Sequence, residues 1–224
     1  MGFGSILEFF KEDDWSKKLV GKVSEMLELA ADMFGYAVAV IVYAEADDDS
    51  QAEVYDRDKR VNKLERDVRR RVVTRLSMGG HRAEIPTALI FMNVVKDGER
   101  IGDYIKNLYG VAEMMPAERN HDLYQEYLVG RSRTIEDLFA RTVQAFTDSD
   151  SEKAADVINR ARKLAGQCEE VIREITTIDL PTQDAVCLVL ILRFYKRIAA
   201  HMANIATTVV MPVDMLDFYD ERED

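Results

Sequence analysis

The sequence predicts an all-α fold of two tandem three-helix bundles. Three observations carry the prediction. Glycine (11) and proline (4) are scarce in 224 residues, too few for the turns of an all-β fold. The prolines bracket two uninterrupted runs, Pro86 to Pro116 and Pro181 to Pro212, each reading as one helix with proline in its first turn. A helix of about 30 residues is about 45 Å long. In the second run Leu188, Ile191, Tyr195, Ile198, Met202, Ile205 and Val209 alternate spacings of three and four, the seam of a helix packed in a bundle.

The elements follow in order. A first helix covers 15–45 and ends before Asp47-Asp48-Asp49-Ser50. A second covers 51–78 and is stopped by Gly79-Gly80. The third is the Pro86 run. The fourth, 118–147, turns Tyr124, Tyr127, Leu128, Ile135, Leu138 and Val143 inward. Thr147-Asp148-Ser149-Asp150 separates it from a fifth over 151–177, and the sixth is the Pro181 run. The order long, long, Pro-started thus occurs twice, which points to an internal repeat. Residues 99–107 (ERIGDYIKN) align without gaps on 196–204 (KRIAAHMAN), matching Arg100 to Arg197, Ile101 to Ile198 and Asn107 to Asn204. The units are 1–116 and 117–212, followed by an acidic tail over 213–224 that is expected to fray.

Composition narrows the function. Thirty basic against 41 acidic side chains give a net charge of −11, and the pI is about 4.9. Nucleic acid needs a basic face to neutralise phosphates, so it is not an expected partner. The two cysteines, Cys168 and Cys187, form no C-x-x-C, and His81, His121 and His201 lie too far apart for an H-E-x-x-H site. The first residues lack a basic n-region, and the apolar stretch 37–44 is too short to span a bilayer. A cytoplasmic, soluble protein is expected.

The chemistry-bearing residues sit on the second and third helices. Ala88, Met92, Val95, Glu99 and Asp103 share one line of the third helix, which begins apolar and continues as carboxylates. Ile90, Val94, Ile101, Ile105 and Leu108 occupy its other side, so this helix is central and its acids are not freely solvated. On the second helix Val54, Asp58, Val61, Glu65, Val68 and Val72 place acids where apolar residues belong, and Asp58 with Asn62 forms an i,i+4 oxygen pair. Facing each other, Asp58, Asn62, Glu99 and Asp103 are a hard-oxygen donor set for Mg, Ca, Mn or iron. The plainer alternative is a solvated face, its acids paired with Arg57, Arg60, Lys63, Arg66, Arg69, Arg70 and Arg71.

ERIGD at 99–103 followed by Asn107 resembles the E-R-I-G-D-x-x-x-N signature of the PhoU family, and DKRVNKLE at 58–65 resembles the segment of that family's preceding helix. The second copy is carried by RFYKRIAAHMANIA at 193–206, and the similarity spans roughly 15–212. The resemblance implies a pseudo-twofold, non-enzymatic regulator that restrains phosphate uptake and phosphate-starvation signalling. Its partners would be a phosphate transporter and a sensor histidine kinase, with membrane association only through them and a homodimer allowed. It also implies that E/D-x-x-x-D pairs bind metal, iron, Mn, Mg, Zn or Ca, at Glu99, Asp103, Asp58 and Asn62. No other cofactor is expected.

The second copy departs from that pattern. Lys196 and Ala200 replace the acids, and Ala165 and Glu169 replace the facing pair. Metal is therefore expected at most in the first repeat, with Lys196 paired to Glu169 in the second. His201 reads as a core or interface residue, Tyr36, Tyr43, Tyr104, Tyr109, Tyr124, Tyr127 and Tyr195 as core with a polar tip, and Trp15 as a cap on the bundle. Two other classes compete. A carboxylate-bridged metal enzyme uses Glu-x-x-His pairs, of which only Glu118 to His121 exists, and a ligand-free helical scaffold needs no site.

Overall fold

The computed structural model describes residues 14–45, 49–79, 82–116 and 118–216. Among them are six long helices and no strand. They are α1 (Asp14–Val42), α2 (Ser50–Ser77), α3 (Ile85–Ala112), α4 (His121–Asp148), α5 (Ser151–Ile175) and α6 (Thr182–Val210), with short 3-10 turns at Arg82–Glu84 and Val213–Met215. The all-α expectation holds. Asp47-Asp48, Gly80-His81 and the tail from 217 fall outside the described residues.

Helix ends follow local chemistry. Asp150 accepts from the backbone N–H groups of Glu152 and Lys153, both at 3.0 Å, and so caps α5. Asn120 caps α4 in the same way through Leu123. The Pro-bracketed helices stop short of their second prolines, α3 at Ala112 and α6 at Val210. The residue before a proline is pushed out of the α region, and Met211, before Pro212, is extended at φ −112°, ψ 151°. Gly79 supplies the positive φ, 75°, that turns the chain beyond α2. Arg75 then bonds both oxygens of Glu84 at 2.8 Å and lies over the Trp15 ring, whose edge meets Phe91.

Packing follows the repeat. α1 lies against α2 and α3, and α4 lies against α5 and α6. Two further contacts, α1 on α4 and α3 on α6, tie the halves together. Each joins a helix to its own counterpart, as an axis relating the repeats requires. One continuous apolar cluster draws on all six helices, so the halves share a core. Polar tips anchor it. The Tyr124 hydroxyl bonds Asp184 at 2.9 Å, that of Tyr127 bonds Glu174 at 2.7 Å, and Tyr195 meets Ser132 at 2.7 Å. Tyr43 departs from the expected pattern. It lies just past α1 and is exposed.

Candidate functional site

α2 and α3 pack side by side, and their facing seams bring the four predicted residues together. Asp58 stands in the buried row Val54, Asp58, Val61, Val68, Val72 and is only 7% exposed. Gly102 of α3 faces it, and a methyl group there would stand in ordinary van der Waals contact, 3.8 Å from Asp58 Oδ1 and 3.5 Å from Val61 Cγ1. Space is tighter one turn earlier at Gly98, where a methyl would stand 3.1 Å from Cε at the flexible end of Met26 of α1.

A buried carboxylate needs a partner. Asp58 has two, the Asn62 amide at 3.3 Å and the Lys106 ammonium at 3.0 Å. Lys106 also bonds Asp103 at 2.9 Å, so one ammonium bridges the carboxylates of α2 and α3. Partial burial acts to lower the Lys106 pKa, but hydrogen bonds and charge from Asp103 and Asp58 outweigh it and hold it above the usual lysine value.

Glu99 is less well provided. Its nearest cation is Arg100, 3.8 Å away and shared with Asp103 at 3.7 Å. Burial, reinforced by the neighbouring charges of Asp103 and Glu65, pushes its carboxyl above the ordinary value of 4.5. Glu65 itself pairs with Arg69 at 2.8 Å.

All four predicted residues therefore converge on one face, and Lys106 is the group that sequence reasoning missed. Its signal was present as a lysine three residues after Asp103 on the same helix face. With its ammonium between Asp58 and Asp103, the donor set as placed does not fit a metal ion. Among the described residues no group of three or more His, Cys, Asp or Glu side chains is placed to hold one. The second repeat has the simpler form expected of it. Lys196 bonds Glu169 across α5 and α6, and that bond holds the Glu169 carboxyl below its ordinary value.

His201 is an interface residue. Its Nδ1 lies 2.7 Å from Asp97 Oδ1 across the α3–α6 contact, and a carboxylate only accepts, so the imidazole N–H donates. Asn204 adds a longer bond to the same oxygen at 3.4 Å, whereas Asn107 is exposed. Neither thiol is poised for chemistry. Burial pushes Cys168 up to about 11 and raises Cys187 as well.

Comparison with known proteins places this architecture. Solved structures of PhoU from Pseudomonas aeruginosa and of the phosphate transport system regulatory protein PhoU from Streptococcus pneumoniae share the fold. Their TM-scores are 0.75 and 0.76, at 20% and 15% identity, over 87% and 92% of this chain and 95% and 96% of theirs. The phosphate-specific transport system accessory protein PhoU homolog 1 of Thermotoga maritima is 34% identical over 89 residues, 38% of each chain. That match thus spans well under half the relative's length. A sequence model of the PhoU domain matches twice, over 23–111 and 131–209, once in each set of three helices. With both repeats matched over most of its length, the chain belongs to the PhoU family.

Proposed function

We propose that this chain is a non-enzymatic regulator of phosphate transport and phosphate-responsive signalling, acting in the cytoplasm by binding a phosphate transporter and a sensor histidine kinase. The observation that carries the reading is the paired PhoU-domain match over 23–111 and 131–209, which is consistent with repeat units of 1–116 and 117–212. The relative named as an accessory protein of a phosphate-specific transport system gives it direction. The chemistry agrees. The thiols have raised pKa values, and the buried tyrosines and carboxylates bond one another across helices in a bracing role. No helix among the described residues is long and apolar enough to cross a membrane, so contact with a transporter would be made through that partner.

The test is a deletion strain complemented by wild type, with phosphate uptake and phosphate-responsive expression followed at low and high phosphate. Deregulation restored by the gene, with transporter or kinase subunits recovered in a pull-down from phosphate-replete cells, supports the reading. Unchanged uptake and expression in a strain without a paralogue overturns it.

A second reading keeps a metal at Glu99, Asp103, Asp58 and Asn62. Its support is the place of Glu99, where burial first and then the nearby charges of Asp103 and Glu65 raise the carboxyl and a further cation would relieve it. It requires Lys106 to leave Asp58 and Asp103. Metal analysis of the purified protein, beside a Glu99→Ala/Asp103→Ala variant, decides it. Metal present in the wild type and lost in the variant is the supporting result.

A further inference from the structure

The exposed face of α2 runs against the charge of the whole chain. The protein carries −11, yet α2 holds nine basic side chains against five acidic ones. Arg60, Lys63, Arg66 and Arg70 recur at spacings of three, three and four, so they share one exposed face. Together with Lys22 of α1 they line a groove of about 500 Å³ between the two helices, with Leu64 contributing apolar wall.

The groove's own acids satisfy only part of this charge. Asp67 is held by Lys22 at 2.8 Å and Arg71 at 2.9 Å, and Glu25 reaches Arg60 at 3.4 Å. Arg66 spends its Nε on the carbonyl of Asn62 at 3.1 Å, which leaves its terminal N–H groups unused. Among the described residues, Lys63 and Arg70 have no hydrogen-bond or ion-pair partner. Lys63, Arg66 and Arg70 stand one turn apart, and the carboxylate among them, Asp67, is taken up by Lys22 and Arg71, so their mutual repulsion is only partly offset in the absence of an anion.

We propose that this α1–α2 groove is a binding site for a soluble oligophosphate, a chain of three or more phosphoryl groups. Guanidinium forks match phosphate oxygens in pairs, and an ammonium adds a compact point charge. Lys63 to Arg70 is seven residues, a rise of about 10 Å. Orthophosphate satisfies one or two of the cations at a time, whereas a linear triphosphate spans all three. A recessed groove between two helices suits a narrow chain better than it suits the flat surface of a bilayer. The proposal does not rest on the transporter and kinase contacts proposed above and stands or falls without them.

The test is titration calorimetry of the full chain with tripolyphosphate and with orthophosphate, at low and at physiological salt. Lys63→Gln/Arg66→Gln/Arg70→Gln is the test variant, and Arg133→Gln/Lys163→Gln/Arg193→Gln, removing exposed cations of α4, α5 and α6, is the charge-matched control. Tripolyphosphate is expected to bind more tightly than orthophosphate, to weaken with salt, and to raise the melting temperature of wild type. The test variant should keep the helical spectrum and lose about tenfold or more in affinity, while the control stays near wild type. No binding, binding equal in both variants, or binding only to anionic phospholipid vesicles overturns the proposal.

Discussion

His201 and Asp97, 2.7 Å apart, form the polar half of a contact whose other half is aromatic. The register that sets 99–107 on 196–204 pairs Tyr104 with His201 and, two residues before it, Asp97 with Phe194. Asp97–His201 and Phe194–Tyr104 are therefore the same contact seen from the two sides of the axis, and Tyr104 stacks on His201 at 5.5 Å where they meet. Duplication kept the geometry and let its chemistry diverge.

A double-mutant cycle measures this contact. His201→Phe leaves Asp97, 4% exposed, with only the long Asn204 bond, and Asp97→Leu leaves the imidazole N–H unpaired. Each single change is expected to cost about 1–3 kcal/mol. The double variant, apolar on both sides like its counterpart, should cost less than their sum by about 0.5–3 kcal/mol in urea unfolding. Strict additivity would mean that the pair is not coupled.

Lys106 bears more weight than Lys196, although each joins facing helices of its own repeat. Removing it by Lys106→Met leaves the Asp58 carboxylate buried beside a single amide. A loss of about 1–3 kcal/mol is expected, a fall of several degrees in melting temperature. Adding Asp58→Leu should restore much of it, because an apolar pair replaces a stranded charge. Lys196→Met faces a solvated Glu169 and is expected to move the melting temperature little. Thermal melts of the four proteins check the order.

The fold was legible because its signals are long. Seams of three and four persist along whole helices, and Pro86, Pro181 and the Thr147-Asp148-Ser149-Asp150 stretch mark where helices begin, whereas the Asn120 cap that starts α4 at His121 and not at 118 was not read. The gathering of Asp58, Asn62, Glu99 and Asp103 was legible for the same reason, since acids in an apolar row must face a neighbouring helix. What stands between them was not. Spacing places Lys106 on the face of Asp103, but only the tertiary approach of α2 at Gly102 shows that its ammonium also reaches Asp58. The Asp97–His201 bond was hidden in the same way, because residues 104 apart in sequence share no local pattern. The basic groove was passed over as ion pairing. Spacing does not reveal that Lys63 and Arg70 stay unpaired while Asp67 is taken by Lys22 from another helix.

Glu99 offers a test by pH. Its carboxyl holds its proton more tightly in the folded chain than the ordinary value of 4.5, first because it is buried and then because Asp103 and Glu65 lie close. As pH rises past 4.5 the unfolded chain gives up this proton before the folded one does. The folded state then binds more protons, and stability falls with rising pH through that window. The penalty is absent well below 4.5 and complete above the raised value, the reverse of a carboxylate stabilised by a salt bridge. Glu99→Gln removes the charge and keeps the shape, so it is expected to stabilise the protein at pH 7 and to lose that advantage toward pH 4. Partial exposure of the site keeps the gain below about 1 kcal/mol. Asp103→Asn, by contrast, removes the negative charge paired with the Lys106 ammonium and should destabilise at pH 7. Urea unfolding of the three proteins from pH 4 to pH 8 reads the difference. A Glu99→Gln variant less stable than wild type at pH 7 would show that Arg100 already balances this carboxylate.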